Sequence, residues 1–271
     1  MTLKEIQERL KTYSSAQCLD ATTRLQREID EYNMREGRLN DEDGIDCPKC
    51  KNKGYIAFDN EGYLYVKPCH CLSLRHSIKM LEKCGISREI LYKYTFDTFI
   101  DEKPWQKDAK KRALDYVKAN LESPGKWLYF GGQSGAGKTH LCTAIIQELS
   151  KKYGVKYEMW IRLAERLKFM DDKERKEETI NELIKVDVLY LDDLLKGNAD
   201  PSDADIRLLF EIINGRYLGP RKITIISSEL TLKELMSIDE AIAGRIAERI
   251  GTGLQYVFTI PKDAKMNYRV R

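Results

Sequence analysis

The sequence predicts an α/β fold in which a mostly parallel sheet of five strands is covered by helices and follows a small cysteine-bearing domain. Three observations lead to this prediction. From residue 126 onward, five short apolar runs alternate with segments of helical periodicity, and strands separated by helical crossovers pair in parallel. A glycine-rich loop lies between the first of these runs and a helix. Two close pairs of cysteines precede the alternating region.

The composition limits the class of protein. The 271 residues can hold one large domain or two modest ones, and 33% charged with 42% hydrophobic residues is typical of a folded chain. The formal net charge of +3 neither requires nor excludes nucleic acid. No apolar run approaches about 18 residues and no basic-then-apolar leader is present, so we expect a cytoplasmic protein without a membrane span. In that setting the seven cysteines indicate metal binding or free thiols rather than disulfides.

The amino-terminal part has two segments of different character. Residues 1–43 are charged and place apolar residues three and four apart, which predicts helices. The cysteine-bearing segment follows over residues 47–71, and a short helical run then ends at Gly85, a glycine suited to a helix C-cap. We interpret residues 86–106 as a connector. The predicted domains are therefore 1–90, which is helical with a metal-binding segment, and 91–271.

Strand and helix signals alternate in the second domain, and each has a separate justification. The strands are short apolar runs bounded by polar or turn residues, and the helices have apolar residues at helical spacing. The predicted strands are KWLYF, VKYEMWI, VDVLYL, KITIISS and QYVFTI. The predicted helices are KTHLCTAIIQELSKKYG, LAERLKFMDD, ADIRLLFEIINGRYL, LKELMSI and EAIAGRIAERI.

The glycine-rich loop spells G-x-x-x-x-G-K-T from Gly132 to Thr139, between a strand and a helix. Such a loop, known as Walker A, curls its backbone N–H groups around phosphates, and the helix N-terminus adds a favourable dipole. We expect Lys138 to reach the β and γ phosphates of ATP and Thr139 to ligate Mg²⁺. The predicted nucleotide-binding residues are Gly132, Gln133, Ser134, Gly135, Ala136, Gly137, Lys138, Thr139 and His140, the last of which we expect to pack on the loop's helix.

The run VDVLYLDDL has the pattern of the second nucleotide-binding motif, Walker B. Its apolar residues lead into Asp192 and Asp193 at the carboxyl end of a strand, where ligands bind in parallel sheets. We expect Asp192 to hold Mg²⁺ through water and Asp193 to orient or deprotonate the attacking water. A helix cap or a solvated turn is the alternative for each. The extra strand VKYEMWI between the two motifs favours the ATPase branch of P-loop folds.

Two arginines of EAIAGRIAERI are candidates for catalysis in trans. Arg245 and Arg249 are four residues apart and share a helix face, so one of them, supplied by a neighbouring subunit, would stabilise the transferring phosphate. The alternative is an ordinary exposed ion pair with Glu240 or Glu248. Arg269, after the last strand, is a candidate for sensing nucleotide in cis, with a simple basic tail as the alternative.

The cysteines predict a structural zinc site. Cys47 and Cys50 form a C-x-x-C pair, and Cys69 and Cys71 form a C-x-C pair after a segment that reads as a β-hairpin. Four thiolates close a tetrahedral zinc site, and a closed site is structural rather than catalytic. His70 is an alternative to one of the four ligands, and four free cysteines are the other possibility.

Together these motifs resemble bacterial and phage replicative helicase loaders of the DnaC/DnaI type, AAA+ ATPases of the IstB-like superfamily. The motifs that carry the resemblance lie in the family's order over residues 94–250: YTFDTF, GGQSGAGKTHL, VLYLDDL, FEIINGRY, TIISSEL and GRIAERI. The resemblance implies an amino-terminal domain that binds the replicative helicase. It also implies an ATPase domain that forms homo-oligomers with ATP and binds single-stranded DNA.

The resemblance also suggests roles for single residues. Arg249 resembles the family's arginine finger more closely than Arg245, and an aspartate at position 193 suits slow hydrolysis. The family's sensor usually reads Thr-Ser-Asn, whereas this chain has Ser-Ser-Glu at 227–229, which leaves Ser228 and Glu229 as candidates. Three basic residues would line a DNA-tracking surface or be ordinary solvated charges: Arg216, Arg221 and Lys222.

Two other functions remain open at this point. One is an IstB-like transposition helper, whose ATPase motifs are nearly identical but which usually lacks the cysteines. The other is a nucleotide-gated adaptor that bridges partners with little hydrolysis. The cysteine-bearing module after charged helices favours a loader over the transposition helper, and measured ATP turnover separates an enzyme from an adaptor.

Overall fold

The computed structural model describes residues 22–83, 85–197, 201–251, 253, 255–263 and 266–267. Its contacts divide the chain into two compact units, one up to His76 and one from Ser77 onward. This division lies before the boundary near residue 90 that the sequence suggested. Within the second unit, Gln147 Nε2 donates hydrogen bonds to the carbonyl oxygens of Leu91 and Tyr94, at 2.9 and 3.0 Å. The part of the predicted connector that holds these two residues is therefore bonded to the fold of the second unit.

The amino-terminal unit combines short helices with a β-hairpin, as predicted for its described part, whereas the portion of the predicted helices in residues 1–21 lies outside the described residues. Its elements are helix α1 over residues 22–34, helix α2 (Leu39–Asp43), strands β1 (Tyr55–Asn60) and β2 (Tyr63–Pro68), and the start of helix α3 (His70–Lys83). The Asn33 side chain bonds to both the N–H and the C=O of Ala57, each at 2.9 Å. This pair of bonds attaches α1 to the hairpin, which otherwise would be a marginal two-stranded sheet.

The second unit alternates strands and helices. Its strands are β3 (Leu128–Gly132), β4 (Val155–Met159), β5 (Val188–Leu194), β6 (Ile223–Ser228) and β7 (Val257–Ile260). Its helices after α3 are α4 (Arg88–Lys93), α5 (Pro104–Glu122), α6 (Lys138–Leu149), α7 (Trp160–Lys168), α8 (Lys173–Lys185), α9 (Asp203–Tyr217), α10 (Leu232–Ile238) and α11 (Glu240–Ile250). All five predicted strands and all five predicted helices are present, and α4, α5 and α8 were not predicted.

The sheet is parallel throughout, with the strand order β4-β5-β6-β3-β7. The two motif-bearing strands, β3 and β5, are therefore not neighbours, because β6 lies between them. β6 is buried at every position. The carboxyl ends of β3, β5 and β6 meet at one edge of the sheet, so the last residues of β6 lie between Walker A and Walker B.

The missed helix α8 shows how narrow an apolar stripe a helix can have. Of its 13 residues only Ile180 and Leu183 are buried. Asp172 caps its N-terminus by accepting a hydrogen bond from the N–H of Arg175 at 3.1 Å. Such a cap satisfies one of the N–H groups that a helix leaves unpaired. Two buried residues are too few to give the repeated apolar spacing by which an amphipathic helix is recognised.

Arg216 is not available to DNA, so its predicted place on a DNA-tracking surface was wrong. Its side chain is fully buried and donates to the carbonyl oxygens of Leu183 at 2.7 Å and Ile223 at 2.6 Å, and to Thr224 Oγ1 at 2.9 Å. Burial lowers the pKa of its guanidinium to about 9. Arg216 therefore joins α8, α9 and β6. Arg221 is exposed.

None of the helices within the described ranges is long and apolar enough to cross a membrane.

Candidate nucleotide-binding site

The predicted Walker A loop joins the end of β3 to the start of α6, and two glycines show why no other residue fits. Gly132 has φ 110° and Gly137, the N-cap of α6, has φ 87°. A Cβ on Gly132 would lie 1.9 Å from the carbonyl oxygen of Ile260, and one on Gly137 would lie 2.9 Å from the Phe99 ring. The loop therefore approaches its neighbours more closely than any side chain permits.

Lys138 is buried at the base of this loop, with 6% of its surface exposed. Its Nζ donates to the carbonyl oxygens of Gly132 at 2.9 Å and Gln133 at 2.8 Å. Burial lowers the pKa of this ammonium group, because desolvation disfavours the charged form. A phosphate on the loop would restore a counter-charge to Lys138, so the residue fits its predicted role.

Asp192 accepts hydrogen bonds from four hydroxyl groups and is 3% exposed. Its Oδ1 accepts from Thr139 at 3.2 Å, from Tyr190 at 2.6 Å and from Ser227, while its Oδ2 accepts from Tyr157 at 3.1 Å. All four donors are hydroxyl groups, and together they fix the orientation of the Asp192 side chain. Hard oxygen ligands of this kind suit Mg²⁺, and Thr139 and Asp192 therefore fit a magnesium site.

Asp193, the residue after Asp192, has a strained backbone conformation with φ 53°. Its N–H donates to Ser227 Oγ at 3.1 Å, and its Oδ2 accepts from Lys196 Nζ at 2.9 Å. The same ammonium group lies 3.5 Å from Oε1 of Glu229. The structure thus places Lys196 between Asp193 and Glu229, although the sequence pattern did not single out Lys196.

The hydroxyl that contacts both aspartates belongs to Ser227, which the sequence analysis did not select. Ser228, the predicted candidate, instead donates to the carbonyl oxygen of Leu194 at 2.7 Å and accepts from the N–H of Leu230 at 3.0 Å. Side chains alternate along a strand, so only one of the two serines can face Asp192. The signal for Ser227 was its place at the end of a buried strand, and choosing between the serines required the register.

A pocket of about 360 Å³ extends from the Walker A loop to the segment at 93–100. His140, on the first turn of α6, stacks on Tyr94 at 4.8 Å and meets the edge of Phe99 at 5.2 Å between ring centroids. Its Nε2 is 2.8 Å from the carbonyl oxygen of Thr95, and burial lowers its pKa. His140 therefore packs on the helix as expected and attaches the aromatic segment that forms one wall of the pocket.

Neither candidate arginine is among the residues that line this pocket. Arg249 Nη2 donates to the carbonyl oxygens of Gly125 at 3.0 Å and Pro220 at 2.9 Å, just before β3 and β6 begin. Arg245 lies over the Phe210 ring at 4.8 Å, and its Nε donates to Asn214 Oδ1 at 2.9 Å. Neither makes the ion pair that was the alternative, and Arg269 lies outside the described residues.

The four predicted cysteine ligands converge. The Sγ atoms of Cys47, Cys50, Cys69 and Cys71 all lie within 4.8 Å of one another, with Cys47 to Cys69 at 3.8 Å and Cys50 to Cys71 at 3.5 Å. Thiolates about 2.3 Å from a tetrahedral zinc ion would be separated by roughly 3.8 Å. The cluster is therefore compatible with zinc. The side chain of His70, the alternative ligand, lies outside the described part of the structure.

A five-stranded parallel sheet with these two motifs and β6 between them defines an AAA+ type P-loop protein, and the comparisons with known proteins agree. Residues 76–259 match the model of the IstB-like ATP binding proteins. The chain belongs to this family, and membership supports ATP binding.

Three proteins illustrate the likeness. The uncharacterized protein YqaM of Bacillus subtilis is 35% identical over 218 residues, 76% of this chain and 67% of YqaM. The phage-like element PBSX protein XkdC of the same organism is 31% identical over 212 residues, 75% of this chain and 79% of XkdC. The crystal structure of DnaI superposes with a TM-score of 0.50 at 26% identity, covering 66% of this chain and 92% of DnaI. The predicted resemblance is confirmed at the level of family and fold.

Proposed function

We propose that this protein is an ATPase that loads a replicative DNA helicase onto single-stranded DNA. The single observation that carries the ATPase part is the contact of the Thr139 hydroxyl with Asp192 beside the Walker A loop. The loading part rests on the likeness to DnaI and on an amino-terminal unit with a zinc-compatible cluster. In this proposal the amino-terminal unit binds the helicase, and the second unit controls loading of the helicase through ATP.

The pocket suits ATP with magnesium. The phosphates would lie on the N–H groups between Gly132 and Thr139, with Lys138 on the β and γ phosphates. Thr139 would ligate Mg²⁺ directly and Asp192 would do so through water, so that the metal neutralises charge on the phosphates. The aromatic wall formed by Tyr94 and Phe99 presents flat apolar rings that suit the stacking of a purine base.

Hydrolysis needs a positioned water and a compensated γ-phosphate. Asp193 is the residue placed to orient or deprotonate that water. Its carboxylate is paired with Lys196 at 2.9 Å, so it must leave this ion pair before it can hold the attacking water. This pairing supports slow, switch-like turnover.

The remaining positive charge would come from a second copy of the chain. Arg249 bonds to carbonyl groups before β3 and β6, whereas the Walker A loop follows the end of β3, so Arg249 lies at the other edge of its own sheet. An arginine at that place is suited to a neighbour's ATP rather than its own. Arg245 and Arg249 both remain candidates, and a site completed in this way requires a homo-oligomer.

The amino-terminal unit offers a surface for the helicase. On the hairpin, Tyr63 is 70% exposed, Tyr65 is 50% exposed and Val66 is 49% exposed. Because side chains alternate along a strand, Tyr63 and Tyr65 share one face of the hairpin and Val66 lies on the other. Exposed apolar patches often mark interaction sites. The four cysteines would hold the hairpin rigid through zinc, so that the surface is already formed before the partner binds.

A loading assay tests the proposal. Replicative helicase from the same cell is added to circular single-stranded DNA coated with single-stranded-DNA-binding protein, and unwinding is measured with and without this chain. We expect unwinding to require the wild-type chain and ATP, and to be lost with Lys138→Ala. A Tyr63→Ser/Tyr65→Ser variant should keep ATP binding and lose helicase co-purification. Unwinding that is the same without the chain would contradict the proposal.

Two other functions are each supported by one observation. The family match supports an IstB-like transposition helper, for which a transposase rather than a helicase should co-purify. The Lys196 contact with Asp193 supports an adaptor with little hydrolysis, for which ATP binding without measurable turnover, with or without single-stranded DNA, is expected.

A further inference from the structure

Lys196 is a second lysine in the phosphate pocket, supplied by the loop after β5 rather than by the Walker A loop. It lines the same pocket as Lys138 and Thr139. Its Nζ lies 2.9 Å from Oδ2 of Asp193 and 3.5 Å from Oε1 of Glu229. The ammonium group is thus held between two carboxylates at the place where a γ-phosphate would enter.

The backbone over residues 193–196 is fixed in position by burial and by a local hydrogen bond. Leu194 and Leu195 are buried, and the N–H of Lys196 donates to the carbonyl oxygen of Asp193 at 3.1 Å. Asp193 and Leu195 both have positive φ, at 53° and 55°, a conformation that non-glycine residues adopt at a cost. Strain of this kind persists only where the surrounding structure enforces it, and here it turns the Lys196 side chain back toward the Walker A loop.

The ion pairs of Lys196 are of a kind that exchanges easily. The side chains of Lys196, Asp193 and Glu229 are 38%, 24% and 36% exposed. Partly exposed ion pairs are screened by water and contribute little. A γ-phosphate carries more charge than one carboxylate and offers three oxygens, so it competes well for the same ammonium group.

We propose that Lys196 distinguishes ATP from ADP by moving between Asp193 and the γ-phosphate. With ADP or without nucleotide, Lys196 pairs with Asp193 and occupies the carboxylate. With ATP, Lys196 contacts the γ-phosphate and Asp193 is released to orient the attacking water. This inference rests on the ATPase function proposed above and adds to it a residue that couples γ-phosphate binding to the release of Asp193.

Affinities for fluorescent ATP and ADP test the exchange. In Lys196→Met we expect ADP affinity to stay within about twofold of wild type and ATP affinity to fall about tenfold or more, as the loss of a charge-assisted hydrogen bond implies. Lys196→Arg should recover most of the ATP affinity. Lys151→Met is the matched control, because Lys151 pairs with Glu148 at 2.6 Å away from the pocket. Its ATP-to-ADP affinity ratio should match wild type.

A second variant tests the competition itself. Asp193→Asn removes the resting partner of Lys196, so the ratio of ATP to ADP affinity should rise several-fold although turnover is lost. An unchanged ratio in both Lys196→Met and Asp193→Asn would overturn the exchange, as would faster turnover in Lys196→Met with unchanged ATP affinity. If wild-type protein bound neither nucleotide, the proposed function itself would fail, and that result is distinct from an unchanged ratio.

Discussion

The Thr139 hydroxyl donates a hydrogen bond to Oδ1 of Asp192 at 3.2 Å, which joins the last Walker A residue to Walker B across 53 positions of the chain. These are the two residues predicted to flank Mg²⁺. Their contact shows that the strand carrying Asp192 ends level with the start of α6. The fold therefore brings together the oxygens that are predicted to bind the metal.

Lys138→Ala should abolish nucleotide binding, because Lys138 is the ammonium group that the Walker A loop brings to the β and γ phosphates. Titration with a fluorescent ATP analogue measures this. The control is Lys151→Ala, which removes a surface lysine paired with Glu148 at 2.6 Å and should bind like wild type. Equal binding by wild type and Lys138→Ala would show that the loop is not the nucleotide site.

Tyr157→Phe should raise the concentration of Mg²⁺ that ATP hydrolysis requires. The substitution removes the hydroxyl bonded to Oδ2 of Asp192, so the carboxylate is less firmly oriented. The Mg²⁺ concentration for half-maximal ATPase should rise roughly threefold to tenfold. Tyr153→Phe removes a similar hydrogen bond, to the carbonyl oxygen of Asn120 at 2.8 Å, and should leave the magnesium dependence unchanged. A similar rise in both variants would refute the role of Tyr157.

Protein purified under reducing conditions should contain one zinc per chain. Cys50→Ser should lose it, because Cys50 is one of the four predicted ligands, whereas Cys142→Ala, outside the cluster, should retain it. Chelation should unfold the amino-terminal unit, because binding of a structural zinc ion is generally coupled to folding of the domain that holds it. ATP binding should persist. Elemental analysis with no zinc in wild type would contradict the prediction.

Arg245→Ala and Arg249→Ala should differ in stability. Arg249 bonds to the carbonyl oxygens of Gly125 and Pro220, so its loss should lower the midpoint of thermal unfolding more than that of Arg245. The variant that retains ATP binding and folding but loses turnover identifies the arginine acting in trans, an effect of about 10³-fold or more in related reactions.

Mixing two inactive variants tests whether the ATPase site is shared between subunits. Lys138→Ala subunits retain both arginines and should restore activity to arginine-variant subunits, which retain the Walker A loop. If no mixture regained activity and each variant stayed monomeric with ATP, the shared site would be refuted.

Arg216→Lys should lower the free energy of unfolding by about 3 to 5 kcal/mol, because a lysine leaves several buried carbonyl groups without a donor. Urea denaturation checks this. Arg221→Lys, at an exposed position, should change stability little. DNA affinity that fell in Arg216→Lys while stability stayed at the wild-type value would restore Arg216 as a DNA contact.

The sequence by itself determined the motifs whose residues are consecutive or nearly so. Walker A follows from Gly132 to Thr139, Walker B from an apolar run before Asp192, and the cysteine pairs from their spacing. Strand and helix order followed from periodicity, which depends on local backbone geometry. The fold class and the family followed from the same local patterns.

Only the tertiary structure decided which side chains meet. The sheet order places β6 between the two motif strands, so Ser227 rather than Ser228 faces Asp192. The same packing buries Arg216 and turns Lys196 onto Asp193. These relationships depend on strand order, register and loop conformation, which are set by contacts between residues far apart in the chain, whereas periodicity reports only on neighbours.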